Sequence, residues 1–533
     1  MACSKFFSGD LPELTNEIIQ YFRNDFSTLH SCILVNRLWC RLAIPSLWED
    51  PFSKGYPKNY HFIDIYLHKL NDDDKIKLNE YGINTEVLPS NILFNYSSYI
   101  KCLNTYRVRS TIETWAINAM VSNFDAVLKL SSFIFISLIK IFIENEATLY
   151  TFEFRLLYDK DLSSYVCFNS AFQLILQNPN FICNVKNLKI YLNSYSDLSL
   201  FMKCFYYNCR SISSLYVHSL IDDPVEKGLS NLINSQQNLK IIHIDCSNNS
   251  LKNFQISNCS NTLKSIIFHK TYLEYLGINF NEIFDQLNVL DSIHILYCYS
   301  LSSTIIQQII NLTKPFKLRS LFMDRSSILQ IDLLILLLQK SGNYLENIGF
   351  RSSINNNYKL QAFKLVKIHC NKIKFIDLQG FDDKNIFSAL NLIENIQQNL
   401  NYLSICLSKF GLYQSDNLSS LILQNLGQIL PNRLEYLSLD LKININDLKV
   451  FFNNSQNVFI RRFLIREKTH QDSEIILSCI KQYVMKEKRV AYLATDSIPI
   501  GSNDVEEFKV HGIQVMRYDQ LHIQVYDFIN ELS

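Results

Sequence analysis

The sequence predicts an α/β chain. A small helical module opens it, and a long stack of strand–helix units follows, with the strands joined in a parallel sheet. Two observations carry this. An apolar pattern recurs at near-constant spacing through the middle of the chain, while the first 50 residues show helical periodicity without that pattern. The 533 residues suit one elongated array plus a small module, or three or four ordinary domains at about 150 residues each.

Hydrophobic residues make up 48% and charged residues 19%, enough apolar material for a core. Only 12 Gly and 10 Pro are present, which excludes a collagen-like chain and disfavours a glycine-rich phosphate cradle. With 51 basic and 50 acidic residues the net charge is +1, so no global field draws the chain to nucleic acid or an anionic membrane. No nucleic-acid or membrane partner is expected. The N-terminus has no apolar stretch of signal-peptide length. The run Leu130–Ile139, bracketed by Lys129 and Lys140, falls short of the roughly 20 residues a bilayer requires. A cytoplasmic or nuclear location is the expectation. The 14 Cys are scattered without a C-x-x-C pair, Cys204 and Cys209 being closest, and are expected as free, mostly buried thiols.

The recurring pattern is apolar-x-x-apolar-x-apolar. It runs through Val185/Leu188/Ile190, Ile212/Leu215/Val217, Leu239/Ile242/Ile244, Leu263/Ile266/Phe268, Leu290/Ile293/Ile295 and Leu318/Leu321/Met323. It continues through Leu345/Ile348/Phe350, Ile373/Ile376/Leu378, Leu400/Leu403/Ile405, Leu434/Leu437/Leu439 and Ile460/Phe463/Ile465. Most steps are 24–28 residues, and an outlying copy stands at Leu149/Phe152/Phe154. This period and motif resemble the leucine-rich repeat. The alternation within each copy reads as a short strand, with positions 4 and 6 on one face and 3, 5 and 7 on the other. Helix-like segments such as Leu229–Gln236 and Ile331–Gln339 lie between. The resemblance implies a horseshoe-shaped solenoid with the parallel sheet inside and helices outside. Position 9 holds Asn193, Ser247, Thr271, Cys298, Ser326, Ser353 and Ser408, small polar groups suited to loop backbone. The longer step from Leu400 to Leu434 holds Gly411–Asp416, a surface insertion.

Near the N-terminus, Leu14, Ile18, Tyr21 and Phe22 share a helical face. A second helix carries Leu29, Ile33, Leu34, Leu38 and Leu42, and Pro45 is expected to separate it from a short third. Leu11-Pro12, the spaced Ile18/Ile19/Phe22, the run Val35-Asn36-Arg37-Leu38-Trp39 and the closing Leu47-Trp48 resemble, in that order, the F-box, a three-helix module of about 45 residues. With the repeats, the chain resembles the F-box/leucine-rich-repeat proteins greatly expanded in some fungi. The boundaries expected are 8–50 for the F-box, 51–99 for a helical connector, 100–184 for irregular first repeats, 185–469 for the main array and 470–533 for closing repeats. In that tail, Ser473–Lys488 reads as helix, and Val490–Leu493, Val505/Phe508/Val510 and Leu521–Val525 read as strands.

The resemblance implies the substrate-recognition subunit of an SCF-type ubiquitin ligase. Its F-box would bind a Skp-family adaptor, and through it a cullin ligase. Leu11, Pro12, Ile18, Ile19, Phe22, Leu34, Val35 and Trp39 are the matched positions for that interface or for the module's own core. Trp39 and Trp48 read as anchors or as core. Arg23 and Asn24 stand where many F-boxes carry leucine. An unidentified target protein would bind the concave face and be passed to ubiquitin-dependent degradation. A non-degradative interaction scaffold is the alternative.

On that face, position 3 places Phe375, Tyr402 and Tyr436 in successive copies, extended by Arg462 and, at position 7, Arg466. Phe322 stands at position 5. These six are the candidate target contacts, although aromatic residues are also common on any sheet surface. His218, His243, His269 and His294 on neighbouring strands read as unrelated polar residues or as a metal or pH-sensitive site. No H-E-x-x-H, G-x-S-x-G or phosphate-loop motif is present, and His369-Cys370 are merely adjacent. No catalytic residue, cofactor or metal is expected.

Overall fold

The computed structural model describes all residues except 1–11, 24, 54–59, 120–122, 157–161, 193–198, 220–222, 246–256, 277–279, 300, 408–415, 467–472, 488, 496–502 and 533. They form two compact units, Met1–Leu263 and Lys264–Ser533.

The first unit opens with α1 (Pro12–Tyr21), α2 (Phe26–Cys32) and α3 (Arg37–Trp48). Each break has a cap. The Asp25 carboxylate accepts the Thr28 N–H at 3.1 Å and its hydroxyl at 2.6 Å. Asn36 accepts the Trp39 N–H at 2.9 Å. The sequence expectation of one helix from Leu29 to Leu42 ending at Pro45 is therefore corrected. The chain turns at 33–36, Asn36 starts a new helix, and Pro45 lies inside it. The expected apolar stripe is also rotated. Thr15 and Ile19 are buried and Phe22 packs with them, whereas Leu14, Ile18 and Tyr21 face outward. Arg23 forms an ion pair with the Glu49 carboxylate. The Glu49 carbonyl accepts the backbone N–H groups of Lys101 and Cys102, tying α3 to the first strand. In the connector, Asn71 caps helix Asp72–Glu80, so the acidic run occupies a first turn, where negative charge is favoured.

Among the described residues, five parallel strands follow: β1 (Cys102–Asn104), β2 (Thr151–Leu156), β3 (Asn187–Leu192), β4 (Ser214–Ser219) and β5 (Ile241–Asp245). Phe152 pairs with Leu188 and Phe154 with Ile190, so the outlying copy stands in the same register as the rest. Helix Phe124–Glu144 corrects another expectation. It is longer than the run Leu130–Ile139: it has 21 residues, and an 18-residue window within it has a mean hydropathy of 2.1, which meets the length and composition of a membrane-crossing helix. Here Leu130, Ile134, Phe135 and Leu138 are buried, and Phe135 packs edge-on against Phe168 of the next helix at 5.4 Å.

Among the described residues, the second unit holds ten parallel strands: β6 (Ser265–His269), β7 (Ser292–Leu296), β8 (Leu318–Met323), β9 (Asn347–Phe350), β10 (Phe375–Gln379), β11 (Tyr402–Cys406), β12 (Arg433–Asp440), β13 (Phe459–Arg466), β14 (Val490–Thr495) and β15 (Gln514–Val515). Positions 4 and 6 meet the helices. Phe350 packs edge-on against Phe363 at 5.4 Å, and Phe463 against Phe452 at 6.2 Å. Equivalent positions pair from β8 to β13, but between β7 and β8 the ladder is irregular: Ile293 faces Leu318, the register shifts between Ile293 and His294, and from there His294 faces Ser320, two residues off the equivalent position. From His294 onward this two-residue offset keeps the paired side chains on their own faces.

Position 8 turns the chain out of the sheet with left-handed backbone at Lys270 (φ 47°), Tyr297 (φ 54°) and Gly380 (φ 66°). Position 9 serves the loops as expected where it is described: Thr271 donates to the His269 carbonyl at 3.0 Å, and Ser353 accepts the Arg325 N–H at 3.1 Å. Asn193, Ser247, Ser408 and most of the Gly411–Asp416 insertion lie outside the described residues. Position 2 carries an unanticipated ladder of alternating charge. Asp291, Arg319, Glu346 and Lys374 pair in sequence at 2.6, 2.8 and 2.9 Å. Such partly exposed pairs contribute about 0.2–1 kcal/mol each.

The tail departs from its expected strands. Ser473–Glu487 is a helix and β14 forms, but Val505, Phe508 and Val510 lie in helix Asn503–Val510. Leu521–Val525 joins two short helices, Tyr518–Leu521 and Val525–Leu532.

At position 5 of β9, Gly349 leaves a gap that the Phe322 ring fills. An added Cβ would stand 2.7 Å from Phe322 Cε1. Gly349→Ala is expected to destabilise the chain by about 1–3 kcal/mol through displacement of that ring. Denaturant unfolding compared with the parent chain checks this.

Candidate functional site

Two surfaces hold the residues singled out from the sequence. The first is the N-terminal helical module. Ile19 and Trp39 are buried in its core with Leu29, Cys32, Ala43 and Leu47, and Phe22 packs against them. Of the eight matched positions, these three serve the module itself. Pro12, Ile18, Leu34 and Val35 are exposed, and Leu11 lies outside the described residues. Trp48 also turns inward, packing on Tyr96 at 4.2 Å and edge-on to Tyr66 at 5.6 Å. Of the two readings, anchor or core, both tryptophans take the inward one, and the module offers other apolar side chains at its surface. Leu34 is 75% exposed and Tyr21 86%, with Leu14, Phe26 and Val35 about half exposed. Nothing in the sequence marks Leu14, Tyr21 and Phe26 as surface contacts, because helical periodicity alone does not tell which apolar stripe faces the core.

The second surface is the sheet face opposite the helices, and it differs between the two units. In the first unit it is polar and aromatic. Arg155 lies over the Tyr191 ring at 4.1 Å, Tyr191 packs on Tyr216 at 4.9 Å, and the Tyr216 hydroxyl reaches Asp245 at 3.3 Å. His218 Nδ1 stands 3.0 Å from the same Asp245 carboxylate.

In the second unit this face carries a run of aromatic and aliphatic side chains among buried polar ones such as His294, Asp377 and Ser404, and it is covered. Phe322 meets Tyr297 at 6.0 Å and Phe375 at 5.7 Å, and Phe375 meets Tyr402 at 6.2 Å edge-on. The predicted ladder thus exists, and Tyr402 pairs in register with Tyr436, which pairs with Arg462. Its expected openness is corrected. Phe322, Phe375 and Tyr436 are 0–1% exposed because the C-terminal segment lies over them. Phe528 packs edge-on against Phe375 at 5.0 Å and Tyr402 at 4.8 Å. Ile529 is fully buried among Ile267, Leu296, Tyr297, Phe322 and Phe375. The Tyr436 hydroxyl accepts the Ile523 N–H at 3.3 Å, Ser438 and Tyr518 share a hydroxyl–hydroxyl hydrogen bond at 3.2 Å, and Arg466 stacks over Tyr518 at 3.7 Å. Burial pushes the Tyr436 hydroxyl up to about 12. Below it, burial holds the Asp377 carboxyl above the usual range, although Ser404 and Gln379 hydrogen-bond it. Nothing in the tail's composition announced this cover, since its apolar residues read equally well as a closing strand.

The four histidines do not act as one group. His218 stands beside Asp245, and His243 is buried beside Tyr216. His269 packs on Tyr526 at 5.0 Å, and His294 is 2.7 Å from the Ser320 hydroxyl. Among the described residues, no group of three or more His, Cys, Asp or Glu is placed to share a metal ion. The described cysteines are free, and burial raises Cys204 and Cys370 to about 12, so little thiolate forms there. A cleft of about 510 Å³ near α1 and β1 is lined by Arg23, Glu49, Asp50 and Cys102. Arg23 and Glu49 are already paired there, and burial raises both Asp50 and Cys102. Compared with family models and with curated proteins, the chain matches none.

His522 packs against Tyr518 at 5.3 Å and lies 3.4 Å from the Tyr436 hydroxyl. Burial and then Arg466 hold its pKa below the usual imidazole range, Asp440 acting in the opposite sense. The unfolded chain then binds the proton first as pH falls. The neutral imidazole's contribution is complete above about pH 6.5 and is lost as pH drops through the lowered folded value. The denaturation midpoint is expected to fall between pH 7 and pH 5, and His522→Phe to reduce that fall. Chemical denaturation across the range measures both.

Proposed function

We propose that this chain is the target-recognition subunit of an SCF-type ubiquitin ligase. The N-terminal helices dock a Skp-family adaptor, and the repeats hold a target protein. The observation that carries the reading is the division of labour in the helical module. A closed internal core of Ile19, Leu29, Trp39 and Leu47 coexists with exposed Leu14, Ile18, Tyr21, Phe26, Leu34 and Val35. So small a module that buries its tryptophan and still turns leucine, isoleucine and valine to solvent is suited to a partner that covers them. The ordered resemblance of residues 11–48 to the F-box names the class of partner. In this reading the chain performs no bond chemistry. It contributes proximity, bringing a target near the charged ubiquitin carrier held by other subunits.

Leu34→Asp combined with Val35→Asp is expected to lower recovery of a Skp-family adaptor more than tenfold. Both positions are exposed, so stability is expected to change by no more than about 0.5 kcal/mol per site. Trp39→Ala, by contrast, removes a core side chain and is expected to cost about 3–5 kcal/mol. Full adaptor recovery by the folded double variant would overturn the docking assignment.

A further inference from the structure

Beyond β15 the chain reverses and lies across the sheet face opposite the helices. Leu521 and Ile523 pack with Tyr436, Leu464 and Ala494, and helix Val525–Leu532 carries Tyr526, Phe528 and Ile529 onto residues of β6, β7, β8, β10 and β11. The cover is a short amphipathic helix whose inward residues are aromatic and aliphatic, while Gln524, Asp527, Asn530 and Glu531 face solvent.

Its hold on the sheet differs from that of the strands beneath. Eight residues do not sustain a helix in water, so this one persists only while the sheet supports it. The strands are hydrogen-bonded to neighbours on both sides and packed against helices on the other face. The two parts therefore have separate stabilities, and the cover opens first. Its removal bares a groove floored by Ile267, Leu296, Phe322, Phe375 and Tyr436. That is the apolar, aromatic lining into which amphipathic helices dock.

We propose that this groove is the target-binding surface of the repeats and that the C-terminal segment is its intramolecular occupant. A partner protein displaces it with an amphipathic helix that presents an aromatic-x-aromatic-aliphatic pattern like Tyr526-Asp527-Phe528-Ile529. The proposal rests on the reading of the repeats as a target-holding surface and not on adaptor docking by the N-terminal helices. The tether keeps the segment at a high local concentration, on the order of millimolar, so a competing helix binds the intact chain more weakly than a chain without the segment.

The probe is a fluorescent peptide of residues 516–533, titrated by anisotropy into the purified full chain and into the chain ending at residue 515, with no adaptor present. The shortened chain is expected to bind it, and the full chain to bind at least tenfold more weakly but measurably. The peptide carrying Phe528→Ala and Ile529→Ala is expected to lose binding to both. Equal affinity for the two chains, or no detectable binding to the full chain, overturns the proposal. Hydrogen exchange on the intact chain decides the case even where the shortened chain fails to fold. Amides of 518–532 are expected to exchange at least tenfold faster than those of β10–β12, and equal protection overturns displacement. Failure here leaves adaptor recovery by the N-terminal helices unaffected, so the two readings fail separately.

Discussion

A strand has two faces, and a unit of one strand and one helix covers only one of them. Everything in the array follows from how the second face is handled. On the helix side the solution is uniform: Leu, Ile and Phe at positions 4 and 6 are buried against the helices in copy after copy. On the other side the two units differ. Arg155, Tyr191, Tyr216, His218 and Asp245 let the first unit keep a partly solvated face. Ile267, Phe322, Phe375 and Tyr436 give the second unit's face a large apolar and aromatic area, and the chain's own end covers it.

The same constraint explains the local exceptions. At Gly349 a side chain would obstruct the Phe322 ring, which packs against Phe375. The irregular pairing of β7 with β8 settles, from His294 onward, two residues off the equivalent position, so both faces keep their character there. Buried Lys359 donates to the carbonyls of Gln379 and Gly380, fixing the turn that leaves β10. Each device preserves the alternation rather than interrupting it.

Much of this was legible in the chain itself. Strand positions followed from the apolar triplet, because a period-2 pattern repeated at fixed spacing has few other structural meanings. The alignment of Phe375, Tyr402 and Tyr436 followed as well. What pattern could not supply was orientation and long-range docking. Leu14/Ile18/Tyr21 and Thr15/Ile19/Phe22 are neighbouring stripes of one helix, and the outward turn of the more apolar one was decided by packing against Trp39. The break at Asn36 is not marked by periodicity, since Leu29, Ile33, Leu34, Leu38 and Leu42 keep helical spacing across it, and the Asn36 cap rather than Pro45 sets the helix boundary. The return of the tail over the face depends on contacts between Phe528 and strands more than 100 residues earlier, and no local pattern encodes those.

The alternating Asp291, Arg319, Glu346 and Lys374 also bear on how such an array can change length. Excising one copy by recombination would set Asp291 beside Glu346, or Arg319 beside Lys374, placing like charges side by side. Excising two adjacent copies restores opposite signs across the seam. In this stretch, gain or loss of copies in pairs meets less resistance than gain or loss of one.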